Sequence, residues 1–181
     1  MRPNNIYEHN AMEHSYDRPM SITLISILLV IGGLMLLVTQ LSTFSMLSDA
    51  SSELGVSAVL LQTAFAFLGL LGVAAGIGGW FGKKWGWWLA VFYFAYAATR
   101  NANVLLILQG IDNGGAPADY VMMNYVKYGV RIVWNSLIIL FLLRSDTVNS
   151  YFGTEDTSKV KAVLFAFGLS ILLFVIASLV G

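Results

Sequence analysis

The sequence predicts an all-α integral membrane protein, a bundle of about five transmembrane helices with its amino terminus in the cytoplasm and its carboxyl terminus outside. Three observations predict it. The 181 residues are 57% hydrophobic and only 11% charged, whereas an ordinary soluble domain carries about 25% charged residues. Five apolar runs reach the roughly 20 residues that a helix needs to cross a bilayer core about 30 Å thick. The Lys and Arg residues outside those runs all fall on one side of the resulting topology.

The runs are taken in order. A polar, flexible tail occupies 1–20, and Arg18-Pro19 leads into the first run, 21–41. Proline suits a helix start, where its missing N–H would have had no helical acceptor. The other runs are 56–80, 85–108, 121–143 and 160–180, and together they form a single transmembrane domain over 21–181. In hydrocarbon every backbone N–H needs a partner within its own segment, so runs of this length are helices. The first run is too long for the apolar part of a cleaved leader, and Glu8, Glu13 and Asp17 precede it, so Ser48-Asp49-Ala50 is not expected to act as a cleavage site.

Orientation follows from charge. The connections 42–55 and 109–120 contain Asp49, Glu53, Asp112 and Asp119 and no base. Lys83 and Lys84, then Arg144, Lys159 and Lys161, join Arg2 and Arg18 on the opposite side. That side is cytoplasmic by the positive-inside rule, and Trp80, Trp85, Trp87 and Trp88 around the Lys83-Lys84 turn form an interfacial aromatic belt.

Three bases lie inside the spans: Arg100, Lys127 and Arg131. At 1.5 Å per residue, Arg100 is roughly 18 Å beyond Trp88 and Arg131 roughly 20 Å from Arg144, so both sit somewhat outside the midplane at similar depth. Asn124, Lys127, Tyr128, Arg131 and Asn135 recur at helical spacing on the fourth span, as do Tyr96, Arg100 and Asn103 on the third. The expected packing turns these stripes toward each other or toward one cavity. An Arg near a span centre costs about 2.5–3.5 kcal/mol, and each Leu, Ile, Val or Phe returns about 0.3–0.6. Eleven such residues in 126–143 return roughly 3–7 kcal/mol, which the polar stripe largely cancels. The fourth span therefore inserts only marginally by itself.

Two readings compete. Outer-half Arg and Lys side chains can snorkel to head groups, and Asn or Tyr can bond neighbouring helices. Intramembrane charge also marks functional sites, which makes Arg100, Asn103, Lys127, Arg131, Asn135 and Tyr96 a candidate anion- or partner-binding set. Gly69, Gly72, Gly76 and Gly79 form a small-residue stripe expected to pack helices closely, within this chain or in an oligomer. The last span, joined by the polar linker 145–158, is free to stand apart from the other four as a lipid-facing or docking helix.

Catalytic chemistry finds no support. There is no cysteine, both histidines lie in the tail, and no span holds a carboxylate. The Glu8-His9 and Glu13-His14 repeat is read as disordered tail rather than a metal site. No cofactor, catalytic residue or nucleic-acid contact is expected. The Arg18-Pro19 opening, the tryptophan-rich turn and Tyr151-Phe152-Gly153 resemble, in a general way, small bacterial membrane proteins; this implies a multi-pass protein of the bacterial cytoplasmic membrane and carries no function. The expectation is a non-enzymatic accessory or structural subunit that associates with membrane lipids and with a membrane-protein partner or further copies of itself. The alternative is a small transporter, channel or binding protein for an anion or phosphorylated lipid.

Overall fold

Each apolar run becomes a helix in the computed structural model, which describes residues 18–42, 58–112 and 118–180. The tail with its Glu-His repeat and the Ser48–Ala50 segment lie outside the described residues. The helices are α1 (Met20–Ser42), α2 (Ala58–Trp80), α3 (Lys84–Asp112), α4 (Ala118–Arg144), α5 (Asp146–Phe152) and α6 (Lys159–Val180), with no strand among the described residues. Among the described residues, three segments are long and apolar enough to cross a membrane: Met20–Thr39, Val121–Arg144 and Lys159–Ile176.

α1 and α2 lie against each other through residues that lack side-chain bulk. A Cβ on Gly33 would stand 2.6 Å from the Gly69 carbonyl oxygen, and one on Gly76 would stand 2.6 Å from the Ser26 carbonyl oxygen. Such close approach raises the dispersion attraction between backbones, the main cohesive force between helices in lipid. α2 then ends at Gly82, which has φ +61°. Gly82 N–H donates to the Gly79 carbonyl and Lys83 N–H to that of Gly78, at 3.2 and 2.9 Å, so two carbonyls of the last turn are satisfied by a Schellman cap. Just after the turn Gly86 lies directly against Gly78, and α3 leaves close beside α2.

α3 is the hub: α2, α4 and α6 all pack on it, whereas α1 joins chiefly through α2. The core gathers at the end where the basic residues lie. Trp87, Val91 and Ala95 of α3 are buried there with Ile22, Ala75, Leu142, Val148 and Ala162, so every helix contributes.

One expectation is corrected here. The stretch 145–158 is no slack linker, because it contains α5, N-capped by Ser145 and closed by Gly153 in the left-handed conformation at φ 60°. Nor does the last helix stand apart. The Trp88 and Phe165 rings meet edge to face at 6.0 Å, Tyr96 stacks on Phe174 at 5.2 Å, and Ala162, Ala166 and Ser170 are buried. The small residues let α6 approach α3, and the aromatic pairs add directional attraction beyond the area they cover.

Candidate functional site

The described part of α4 buries few residues beyond Val121 and its final turns, Ile139, Leu142 and Leu143. Between them it presents an outer face on which Val126, Val130, Val133, Trp134 and Leu137 are all more than half exposed. Lys127 and Arg131 are exposed on the same helix. Both place their charge 5.6 Å from the centre of the Tyr128 ring, within the range at which an aromatic face attracts a cation. Asn135 donates from Nδ2 to the Arg131 carbonyl at 2.6 Å, so part of its polarity is satisfied within its own helix. Gly129 opens a gap in this face: a Cβ there would meet nothing within 4 Å. Around it, Val126, Val130, Val133, Trp134 and Leu137 line a shallow apolar concavity of about 410 Å³.

The polar residues of α3 distribute differently. Arg100 is half-buried and lies within electrostatic reach of Tyr93 and Tyr96. Tyr96 turns to α6, where it stacks on Phe174 with the rings 15° from parallel. Asn103 is exposed. Thr99 and the buried Asn101 donate back to the Ala95 and Ala97 carbonyls of α3, at 2.9 and 2.6 Å. The seam expected between the two stripes is therefore divided. Tyr128 brings Lys127 and Arg131 together, Arg100 keeps company with tyrosines of its own helix, and Tyr96 serves the contact with α6.

Of the glycines in the small-residue stripe, Gly69, Gly72, Gly76 and Gly79 all face α1, each with an α1 atom between 2.6 and 3.3 Å from where its Cβ would be.

A second polar constellation lies at the basic end. The Trp87 indole N–H donates to the Leu142 carbonyl at 2.9 Å, fully buried. That carbonyl belongs to the last turn of α4, where no helical N–H follows to bond it. The buried Asn149 donates from Nδ2 to the Leu143 carbonyl at 3.1 Å. Its Oδ1 accepts from Thr154 Oγ1 at 3.0 Å and from Lys159 Nζ at 2.7 Å. Lys159 Nζ also donates to the Thr154 carbonyl at 2.6 Å and stands 5.3 Å from the Trp87 ring. The carboxyl of Glu155 is held below its usual pKa, first by its own backbone N–H and the Ser150 hydroxyl, then by the Lys159 and Lys84 charges. Arg18 caps the α1–α2 side. Its Nε donates to Thr23 Oγ1 at 3.0 Å, and its guanidinium lies 3.5 Å over the Trp80 ring. Tyr151 donates to the Trp80 carbonyl at 2.9 Å, and burial pushes its hydroxyl pKa up against the opposing Arg18 charge.

The sequence does not announce this network. Ser145 three residues before Val148 and the Phe152-Gly153 pair were the legible signals of a capped helix. Among the described residues no three His, Cys, Asp or Glu side chains converge to hold a metal ion.

Among the described residues, every element is a helix, three helices are suited to cross a membrane, and cations stand on an exposed apolar helix face. Compared with known proteins, the chain matches no family model, no curated protein and no solved structure.

Proposed function

We propose that the chain crosses the membrane five times, amino terminus cytoplasmic and carboxyl terminus outside, and serves as a non-enzymatic accessory or structural subunit of a larger membrane complex. The observation that carries this reading is the outer face of α4, where Lys127 and Arg131 are exposed beside open Gly129. A cation facing lipid costs about 2.5–3.5 kcal/mol, and an acidic side chain from a partner helix offsets it. Gly129 leaves room for that helix to approach closely. The concavity beside the two bases is open and apolar, which suits a helix better than a hydrated anion. The five-span topology is supported by the placement of the bases outside the spans at one end, and by α2 and α3, whose 23 and 29 residues reach roughly 35 and 43 Å.

Native mass spectrometry of the protein extracted gently from its own membrane tests the association. A second protein retained by the wild type and lost from Arg131→Gln, with insertion unchanged, supports the reading. Equal retention by both overturns it. A chain that flies alone with a retained small anion or phosphorylated lipid supports the transport alternative. For topology, a cysteine in place of Asp112 should react with an impermeant thiol reagent from outside; labelling only after lysis would sink the orientation.

A further inference from the structure

Beside the close contact of Ser26 with Gly76, the surface between α1 and α2 carries an open groove. Ser26, Ile27, Val30 and Ile31 form one wall, and Gly76, Ile77, Trp80 and Phe81 the other, around about 320 Å³. That volume falls in the range of about 300–1,000 Å³ typical of small-molecule sites. Ile27, Ile31, Ile77, Trp80 and Phe81 are 39–65% exposed, so the groove is open along its length. A second concavity of about 290 Å³ continues it along α1 through Leu34, Met35, Val38 and Thr39, and Ile31 lines both. From Ser26 to Thr39 the track runs thirteen residues, about 20 Å at 1.5 Å per residue. One leaflet of hydrocarbon is about 15 Å deep, half of a 30 Å core.

One end of this track is charged. Arg18 lies over Trp80, a wall residue, and its Nη1 donates to the Trp80 carbonyl at 3.3 Å. Together with the bond from Nε to Thr23, the described residues take up two of the five N–H donors of a guanidinium. Lys83, two residues beyond the wall residue Phe81, is exposed. An apolar track of leaflet depth with cations at its interfacial end is complementary to one molecule in particular, a lipid with an anionic head. We propose that the α1–α2 groove binds an anionic phospholipid, with an acyl chain along Ile27, Ile31 and Ile77 and the phosphate against Arg18. This site is lined by residues of α1, α2 and Phe81 and by none of α4, and it does not depend on the accessory-subunit reading.

The test uses the full chain in bilayers doped with a phosphatidylglycerol or a phosphatidylcholine carrying the same photoreactive acyl chain. Crosslinked peptides are mapped after illumination. The expected result is labelling at 27–31 and 76–81, with phosphatidylglycerol favoured about fivefold, the ratio given by about 1 kcal/mol per basic residue near the anionic head. Arg18→Gln should lose the preference and Arg18→Lys should keep most of it, a distinction that a merely structural role would not produce. Ile77→Trp, which fills the groove from an exposed position, should suppress labelling by both probes while leaving Arg18 in place. Equal labelling of the wild type by the two heads, or a preference that survives Arg18→Gln, overturns the proposal.

Discussion

Substituting alanine at Gly76 and at Gly129 separates two effects that glycine combines in a helix. Both exchanges remove backbone freedom from the unfolded chain, and both gain helix propensity, about 0.5–1 kcal/mol. They differ in what the new methyl meets. At Gly76 the Cβ would lie 2.6 Å from the Ser26 carbonyl oxygen, 2.6 Å from Val30 Cγ2 and 3.0 Å from Val30 N. Carbon contacts are comfortable at about 3.5–4.0 Å, so α1 must retreat by about 1 Å. The Val30 methyl can rotate aside, but the Ser26 and Val30 backbone atoms cannot. At Gly129 the same methyl meets nothing. The clash alone therefore separates the variants, and overpacking of this kind costs about 1–3 kcal/mol. Reversible unfolding in mixed micelles reads that difference directly. Gly129→Ala should match or exceed the wild type, and Gly76→Ala should lie about 1–3 kcal/mol below Gly129→Ala, with Gly72→Ala between them, since its nearest atoms are at 3.1 and 3.3 Å. Equal stability of the Gly76 and Gly129 variants would refute the close α1–α2 contact.

Three further outcomes are expected. Trp87→Phe strands the Leu142 carbonyl in the core and should lower stability by about 1–3 kcal/mol, seen as a shifted unfolding midpoint. A double-mutant cycle between Asn149→Ala and Lys159→Met should return a coupling of about 0.5–3 kcal/mol, whereas additivity would mean that the 2.7 Å contact contributes nothing. The Glu155 carboxyl, depressed in the folded state, contributes stability at neutral pH that is lost as pH falls through its folded pKa; the gap between wild type and Glu155→Gln should therefore close on acidification from about pH 6 toward 3, the range in which carboxylates titrate.

The helices were legible in the sequence because hydrocarbon length is a one-dimensional requirement, and α1 over Met20–Ser42 or α6 over Lys159–Val180 can be read by counting apolar residues. Which faces meet was not legible in the same way. Counting along the helices assigns Arg100 and Arg131 a similar depth, but depth says nothing about rotation, and Tyr96 finds an aromatic partner on α6 rather than on α4. Gly78 against Gly86 escaped because the pairing crosses a turn whose geometry is set by Gly82. The network at the basic end was hidden most fully. Asn149, Thr154 and Lys159 look like ordinary surface residues until α5 folds across the end of the bundle.

The arrangement around α3 also sets an order of events during synthesis. α1 with α2, α2 with α3, α3 with α4 and α4 with α5 are all neighbours in the chain, so each pair can dock as soon as its second member leaves the ribosome. Such local contacts form fast because little chain must be closed between them. The pairing of α3 with α6 is different: Trp88 waits for Phe165 and Tyr96 for Phe174. Until α6 arrives, Trp88 and Tyr96 on the hub lack these ring partners. α6 thus closes a contact that spans more of the chain than any neighbouring pair, and the bundle around α3 is complete only once it is in place.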